Sequence, residues 1–288
     1  MLILFRICSQ FSSKQKSIIQ QINTQWGYGE LNGPREWKNM YPHLNKCKRQ
    51  SPINIMTAGT VYSELLQGIK VYWNNAIIDK VTNVGTGVEF MSNKVPWISG
   101  GLLESTYEFD HFHIHWSGDN QVGSEHALDG NFYPAEVHFV FYNTTLFISK
   151  EAALDMDFRG IVILCSFLEL GGDKQCDFTL LSDAVKNANY KGKSHLITSG
   201  LPVNALIPEN NRQFYAYNGS LTVPPCSECC IWLIYREPLK IYAPSLDVFR
   251  NLHSTTKVNS NEDTVLLCNC RPLQAINNRI IYRSFDRY

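Results

Sequence analysis

Residues 105–116 read "STYEFDHFHIHW". The stretch is rich in Thr, Tyr, Phe, Ile and Trp and holds no Gly or Pro, which is strand chemistry. Side chains alternate along a strand, so His111, His113 and His115 share one face while Phe112, Ile114 and Trp116 take the other. The chain has only eight histidines in 288 residues, so three so close together need a reason. Neighbours two apart lie roughly 6.6 Å apart along the backbone. Two imidazoles at that spacing can converge on one ion at about 2.0–2.1 Å each. Three in a row cannot easily do so, because His111 and His115 start about twice as far apart. One adjacent pair therefore binds and the third serves otherwise; spacing does not say which pair. A third ligand should come from a neighbouring strand. "AEVHFVFYN", residues 135–143, supplies His138, with Glu136 on the same face. Three protein ligands leave the fourth tetrahedral position of zinc open, as in catalytic sites. Taken alone, an HxH pair is more often a set of surface or hydrogen-bonded core histidines. The matching His strand, with a carboxylate beside it to orient a ring, turns the balance toward metal.

Around this stretch lie other short runs rich in β-branched and aromatic residues: "GIKVYWNN", "GTGVEFMS", "GIVILCSFLEL", "RQFYAYNGSL", "CCIWLIYREPLKI" and "RIIYRS". "GIVILCSFLEL" is apolar throughout and reads as a central strand covered on both faces. Helical signals are few: "KEAALDMD", "LSDAVKNAN" and "APSLDVFRNL". The expected fold is mostly β (α+β), one domain with a large central, mainly antiparallel twisted sheet and short surface helices. Residues 22–288 form that domain, and residues 1–21 read as an N-terminal arm or degenerate signal segment.

Hydrophobic residues make up 44% and charged residues 18%, enough for a sizeable core. The 26 basic and 26 acidic residues cancel, which argues against a nucleic-acid partner and for a small molecule. No apolar run approaches the roughly 18 residues of a membrane span. Nine cysteines are many and odd in number, so arithmetic leaves the redox compartment open. Cys165 suits a buried thiol, and Cys268 and Cys270 would share one face if they lay on a strand.

Taken together, "WGYGELNGPREW", "RQSPINI", "FHIHW", "GSEHALDG", "AEVHFVFYN", "GSLTVPPC" and "NNRIIYRSF" resemble the α-class carbonic anhydrases, in order, from about Trp26 to Phe285. The resemblance implies zinc-dependent reversible hydration of carbon dioxide to bicarbonate by attack of zinc-bound hydroxide. It assigns Zn2+ to His113, His115 and His138. His111, where the family commonly has Gln, becomes a partner of His113, and Glu136 and His126 support the ligands. Thr222 would orient the hydroxide and pass its own proton to Glu125. Tyr28 would order cavity water. Val140, Ile163, Leu221, Val223 and Trp232 fall on the carbon dioxide pocket. The family's proton-shuttle position falls on Thr86, which cannot titrate near neutrality, so the resemblance implies slow, buffer-dependent proton export. Cys47 and Cys226 match the pair that is disulfide-bonded in secreted members, which favours a secreted, extracellular protein over the alternative, a cytoplasmic one. Sulfonamide-type inhibitors and a monomeric state are also expected. The rival readings are a weak or inactive carbonic-anhydrase-related binding domain, which typically lacks a ligand histidine, and a structural zinc site with His111 as fourth ligand.

Overall fold

Apolar runs too short for helices and too long for turns have to pair, and in the computed structural model they do. It describes residues 25–154, 159–173, 177–256 and 264–286. The chain divides into two compact units, Met1–Lys46 and Cys47–Tyr288. The arm boundary expected near residue 22 lies outside the described residues, as do Cys8 and Cys176. In the first unit, the helical turn α1 (Trp37–Met40) buries Trp37, whose ring meets Trp26 and Tyr28 edge-on.

The second unit is built on seven principal strands: β1 (Ile78–Asn83), β2 (Val88–Ser92), β3 (Leu103–Trp116), β4 (Ala135–Asn143), β5 (Ile161–Leu170), β6 (Phe214–Gly219) and β7 (Cys230–Tyr235). They stand in the order β1-β2-β3-β4-β5-β7-β6 within a sheet that counts thirteen strands among the described residues. Pairing is antiparallel along this series except between β5 and β7, which run parallel. The mostly β expectation therefore holds, with a mixed rather than purely antiparallel centre. Three helices follow the expected positions: α2 (Lys150–Leu154), α3 (Asp177–Val185) and α4 (Ala243–Arg250).

Eight successive residues of β5, Ile161 to Leu168, are buried. Ile161, Ile163, Cys165 and Phe167 face one core together with Val140, Tyr217, Trp232 and Ile234. On the other face of the sheet Phe90 stacks on Phe112, which meets Phe139 at a tilt. The run read as one strand at 229–241 is two, β7 and a short Leu239–Ile241, split at Arg236–Pro238. Cys268 and Cys270 lie in irregular chain, not on the strand considered for them. The Cys270 thiol reaches the carbonyls of Trp116, at the end of β3, and Gly123.

Candidate metal centre

Register decides whether three histidines can meet. His113 of β3 pairs directly with His138 of β4, and His115 pairs with Glu136. Directly paired residues project to the same side, so both ligand strands offer their imidazoles to one face. The ligand atoms of His113, His115 and His138 lie within 4.8 Å of one another. Of the three β3 histidines, His113 and His115 are the two whose ligand atoms gather with His138.

Hydrogen bonds choose the free nitrogen of each ring. His115 donates from Nδ1 to the carbonyl of Asn269 at 2.7 Å, and its Nε2 is buried without a hydrogen-bond partner. His138 donates from Nε2 to Glu136 Oε1 at 2.6 Å, which leaves Nδ1 bare. His113 has its Nδ1 engaged by His111 Nε2 at 2.9 Å, which leaves Nε2. An orphaned lone pair in a buried site is costly unless something occupies it, and three convergent imidazole nitrogens are a zinc donor set. The residues present therefore fit zinc. His111 is spent on His113, so it does not serve as a fourth ligand.

Burial and the neighbouring imidazoles push His113 well below the usual histidine range, and burial with His138 takes His115 to about 3. Burial also lowers His138. All three rings are neutral at pH 7, the form that binds a metal.

Glu136 is the anchor of this arrangement. Its Oε1 accepts from His138, from His126 Nδ1 at 2.7 Å and from the Cys165 thiol at 3.2 Å. Its Oε2 accepts from the backbone N–H groups of Glu125 and His126 at 2.9 and 2.8 Å. Burial works to raise this carboxyl, but His126 and the other donors hold it well below the usual range. Gly123 lets the "GSEH" loop reach the anchor, because a Cβ there would collide with the Pro134 carbonyl. The Tyr217 hydroxyl meets His126 Nε2 at 2.7 Å. His126, Glu136, His138 and Cys165 also cluster closely enough to suggest a second metal group, but their atoms are already bonded to one another.

Glu125 is fully buried, and burial with Glu136 nearby pushes it well up. Thr222 and the backbone of Arg271 pull the other way. The Arg271 N–H donates to Oε1 at 2.8 Å. Oε2 closes no hydrogen bond of ordinary geometry and stands 4.0 Å from His138 Nδ1. Thr222 is buried in the loop that follows β6. One cross-strand row carries the expected pocket wall: His111 pairs with Val140, Val140 with Ile163, and Ile163 with Trp232. Leu221 packs against the same cluster. Val223 sits in the same loop as Thr222. Thr86 lies in the turn between β1 and β2, its carbonyl 3.4 Å from Asn269 Nδ2. Tyr28 belongs to the first unit. A cavity of about 820 Å3 lined by Trp73, Leu164, Leu233 and Tyr235 holds none of these histidines; Leu164 and Leu233 alternate with the pocket row and face the opposite side.

Asn269 escaped the sequence reading. It accepts from His115, donates to the Ile114 carbonyl at 3.0 Å and accepts from the Trp116 N–H at 2.8 Å. Arg271, which also grips Gln50 and Ser51, escaped it too. The "CNCRP" stretch holding both carries no spacing signal.

The chain matches the family described as eukaryotic-type carbonic anhydrase over residues 32–285. It is 34% identical over 265 residues to carbonic anhydrase 7 of Mus musculus, covering 91% of this chain and 97% of that protein. Identity is 35% over 264 residues with carbonic anhydrase 7 of Homo sapiens, covering 90% and 97%. With human carbonic anhydrase 3 it is 33% over 265 residues, covering 91% and 98%. These relatives are of the cytosolic type, which overturns the expected secretion and the extracellular-like subtype. The expected disulfide between Cys47 and Cys226 is not supported either: Cys226 is a buried free thiol, pushed up to about 12 chiefly by that burial. No described helix is long and apolar enough to cross a membrane.

Proposed function

Because this chain belongs to the eukaryotic-type carbonic anhydrases, enzymes that hydrate carbon dioxide, we propose that it does so through His113, His115 and His138, inside the cytoplasm. Zinc held by these three rings supplies the Lewis acidity that makes a hydroxide nucleophile available at neutral pH. The orphaned Nε2 of His115 carries this reading, since nothing among the described residues satisfies it.

The chain's own groups do the rest. Asn269, Glu136 and His111 each hold one ring by its second nitrogen, fixing tautomer and direction. Glu125 accepts a hydrogen bond from the Thr222 hydroxyl, so Thr222 must in turn accept one from the nucleophile and aim its lone pair. A dication among the imidazoles favours the ionised form of Glu125 that this needs. Val140, Ile163, Leu221 and Trp232 exclude water and offer carbon dioxide an apolar wall, with Val223 at its edge. Thr86 cannot take up and release a proton near neutrality, so export of the product proton relies on solution buffer.

Stopped-flow hydration by zinc-loaded protein tests this. Turnover should rise with buffer concentration and stop with a sulfonamide, whose anion competes at the metal. Stoichiometric zinc without turnover would overturn the reading, and rates indifferent to buffer would overturn the part given to Thr86.

A further inference from the structure

Alternation along β3 would send Asp110 to the face opposite His111. The register prevents it. Phe109 pairs with Phe141 and His111 with Val140, so two residues of β3 pass one of β4 and Asp110 sits in a bulge. Bulges of this kind re-aim a side chain beside a site. Here the bulge brings Asp110 Oδ2 to 2.5 Å from His111 Nδ1. Lys150, the first residue of α2, donates to the same oxygen at 2.6 Å.

The order of the hydrogens follows, given the reading above that His113 binds metal through Nε2. A neutral His113 then carries its proton on Nδ1 and donates it to His111 Nε2 at 2.9 Å. His111 can accept only if that Nε2 is bare, so its own proton must sit on Nδ1. A carboxylate against Nδ1 enforces this arrangement, because it can accept and cannot donate. Glu89 Oε1 is 3.9 Å from His111 Nε2 and too far to compete for it. A glutamine at this position would need no such partner, because its amide oxygen accepts from His113 whatever stands behind it. A histidine has two tautomers, and only one of them serves.

We infer that Asp110, pinned by Lys150, is a positioning residue that sets the tautomer of His111 and through it the orientation of the metal ligand His113. The inference extends the proposed function and rests on it.

The test uses the full zinc-loaded chain, with EDTA as the chelator and long-range 1H–15N NMR on the histidine rings. In the unmodified protein His111 should show a protonated Nδ1 and a bare Nε2. Asp110→Ala should release zinc about 10-fold faster and let the His111 proton move to Nε2; Lys150→Ala should do the same to a smaller degree. In a His111→Gln background, where no tautomer needs setting, Asp110→Ala should change zinc release by less than about twofold. A His111 proton found on Nε2 in the unmodified protein overturns the inference, and needs no variant to fold. So does an equal effect of Asp110→Ala in both backgrounds, which would mean plain structural support, or no effect in either. Loss of the parent reading looks different: the unmodified chain would hold no zinc, or the His113 ring would lack the shift of a ligated nitrogen, and this inference would fall with it.

Discussion

Glu136 takes hydrogen bonds from five donors at once, two of them backbone. An amide in its place would set a donor against donors. In Glu136→Gln the amide nitrogen must point either at the two N–H groups or at His126, His138 and Cys165. The variant should lose about 3–5 kcal/mol in urea denaturation, the range for breaking a buried charged network. Its zinc affinity should fall roughly 10–100-fold by competition with a chelator. Thr222→Val keeps the shape and deletes only the hydroxyl. Hydration should slow about 100-fold, on the scale of lost proton-transfer assistance, with zinc content by elemental analysis unchanged. Equal rates in this variant would remove Thr222 from the chemistry. At this scale the sequence shows what depends on side-chain identity. His138 and Glu136, and the β3 histidines as a group, were legible because imidazoles and carboxylates at strand spacing are uncommon; the choice of His113 with His115, and Glu125 itself, came only through the family resemblance. Asn269 was not legible, because it holds His115 with a backbone carbonyl that every residue owns. Asp110 was not, because alternation assigned it to the wrong face.

Between strands, the site depends on register. A slip of one residue between β3 and β4 would carry the whole imidazole set away from its partners. The same register lays His111, Val140, Ile163 and Trp232 side by side across four strands, so the proposed ligand support and the proposed pocket wall share one row. Val140 is 5% exposed, the small opening expected of a wall that a three-atom substrate must touch. Val140→Tyr would fill that space. It should lower kcat/KM for carbon dioxide at least about 10-fold, a loss of about 1.4 kcal/mol, while the zinc content stays at one per chain; overpacking should cost about 1–3 kcal/mol of stability. Unchanged kcat/KM would place the substrate elsewhere. Strands such as β4 and β5 could be read from the sequence because continuous apolar runs have few other fates. The parallel contact of β5 with β7 could not, since nearly sixty residues separate them and no local pattern records which edge a returning strand will join. The strand β1 was passed over because Asp79, Lys80 and Asn83 interrupt its apolar residues.

Across the whole molecule, basic and acidic residues balance at 26 each. Cysteine identity misled at this scale: two positions matching a bonded pair said nothing of whether the thiols react, and Cys226, Cys229 and Cys230 are all buried free thiols. Buried titrating groups, by contrast, make a prediction for the entire fold. His113, His115 and His138 all bind protons less readily folded than unfolded, with burial as the leading cause. As pH falls below the unfolded histidine value of 6.5, the unfolded chain takes up protons that the metal-free fold refuses, so stability falls with pH. Glu125 acts oppositely. Its raised pKa means that the fold binds a proton which the unfolded chain lacks above about 4.5, so it alone favours the fold on acidification. With three imidazoles against one carboxyl, the unfolded chain binds more protons than the fold below pH 6.5, so stability falls on acidification. Below 4.5 Glu136, held low by its donors, adds to the loss, because the unfolded carboxylate protonates first. The urea midpoint of metal-free protein should therefore drop steeply from pH 6.5 to 4.5. His138→Gln, with one titrating ring fewer, should show a shallower slope over the same interval. A midpoint that holds level or climbs as the solution is acidified would mean that these imidazoles are not kept neutral by burial, and that the centre is not prepared for a metal before the metal arrives.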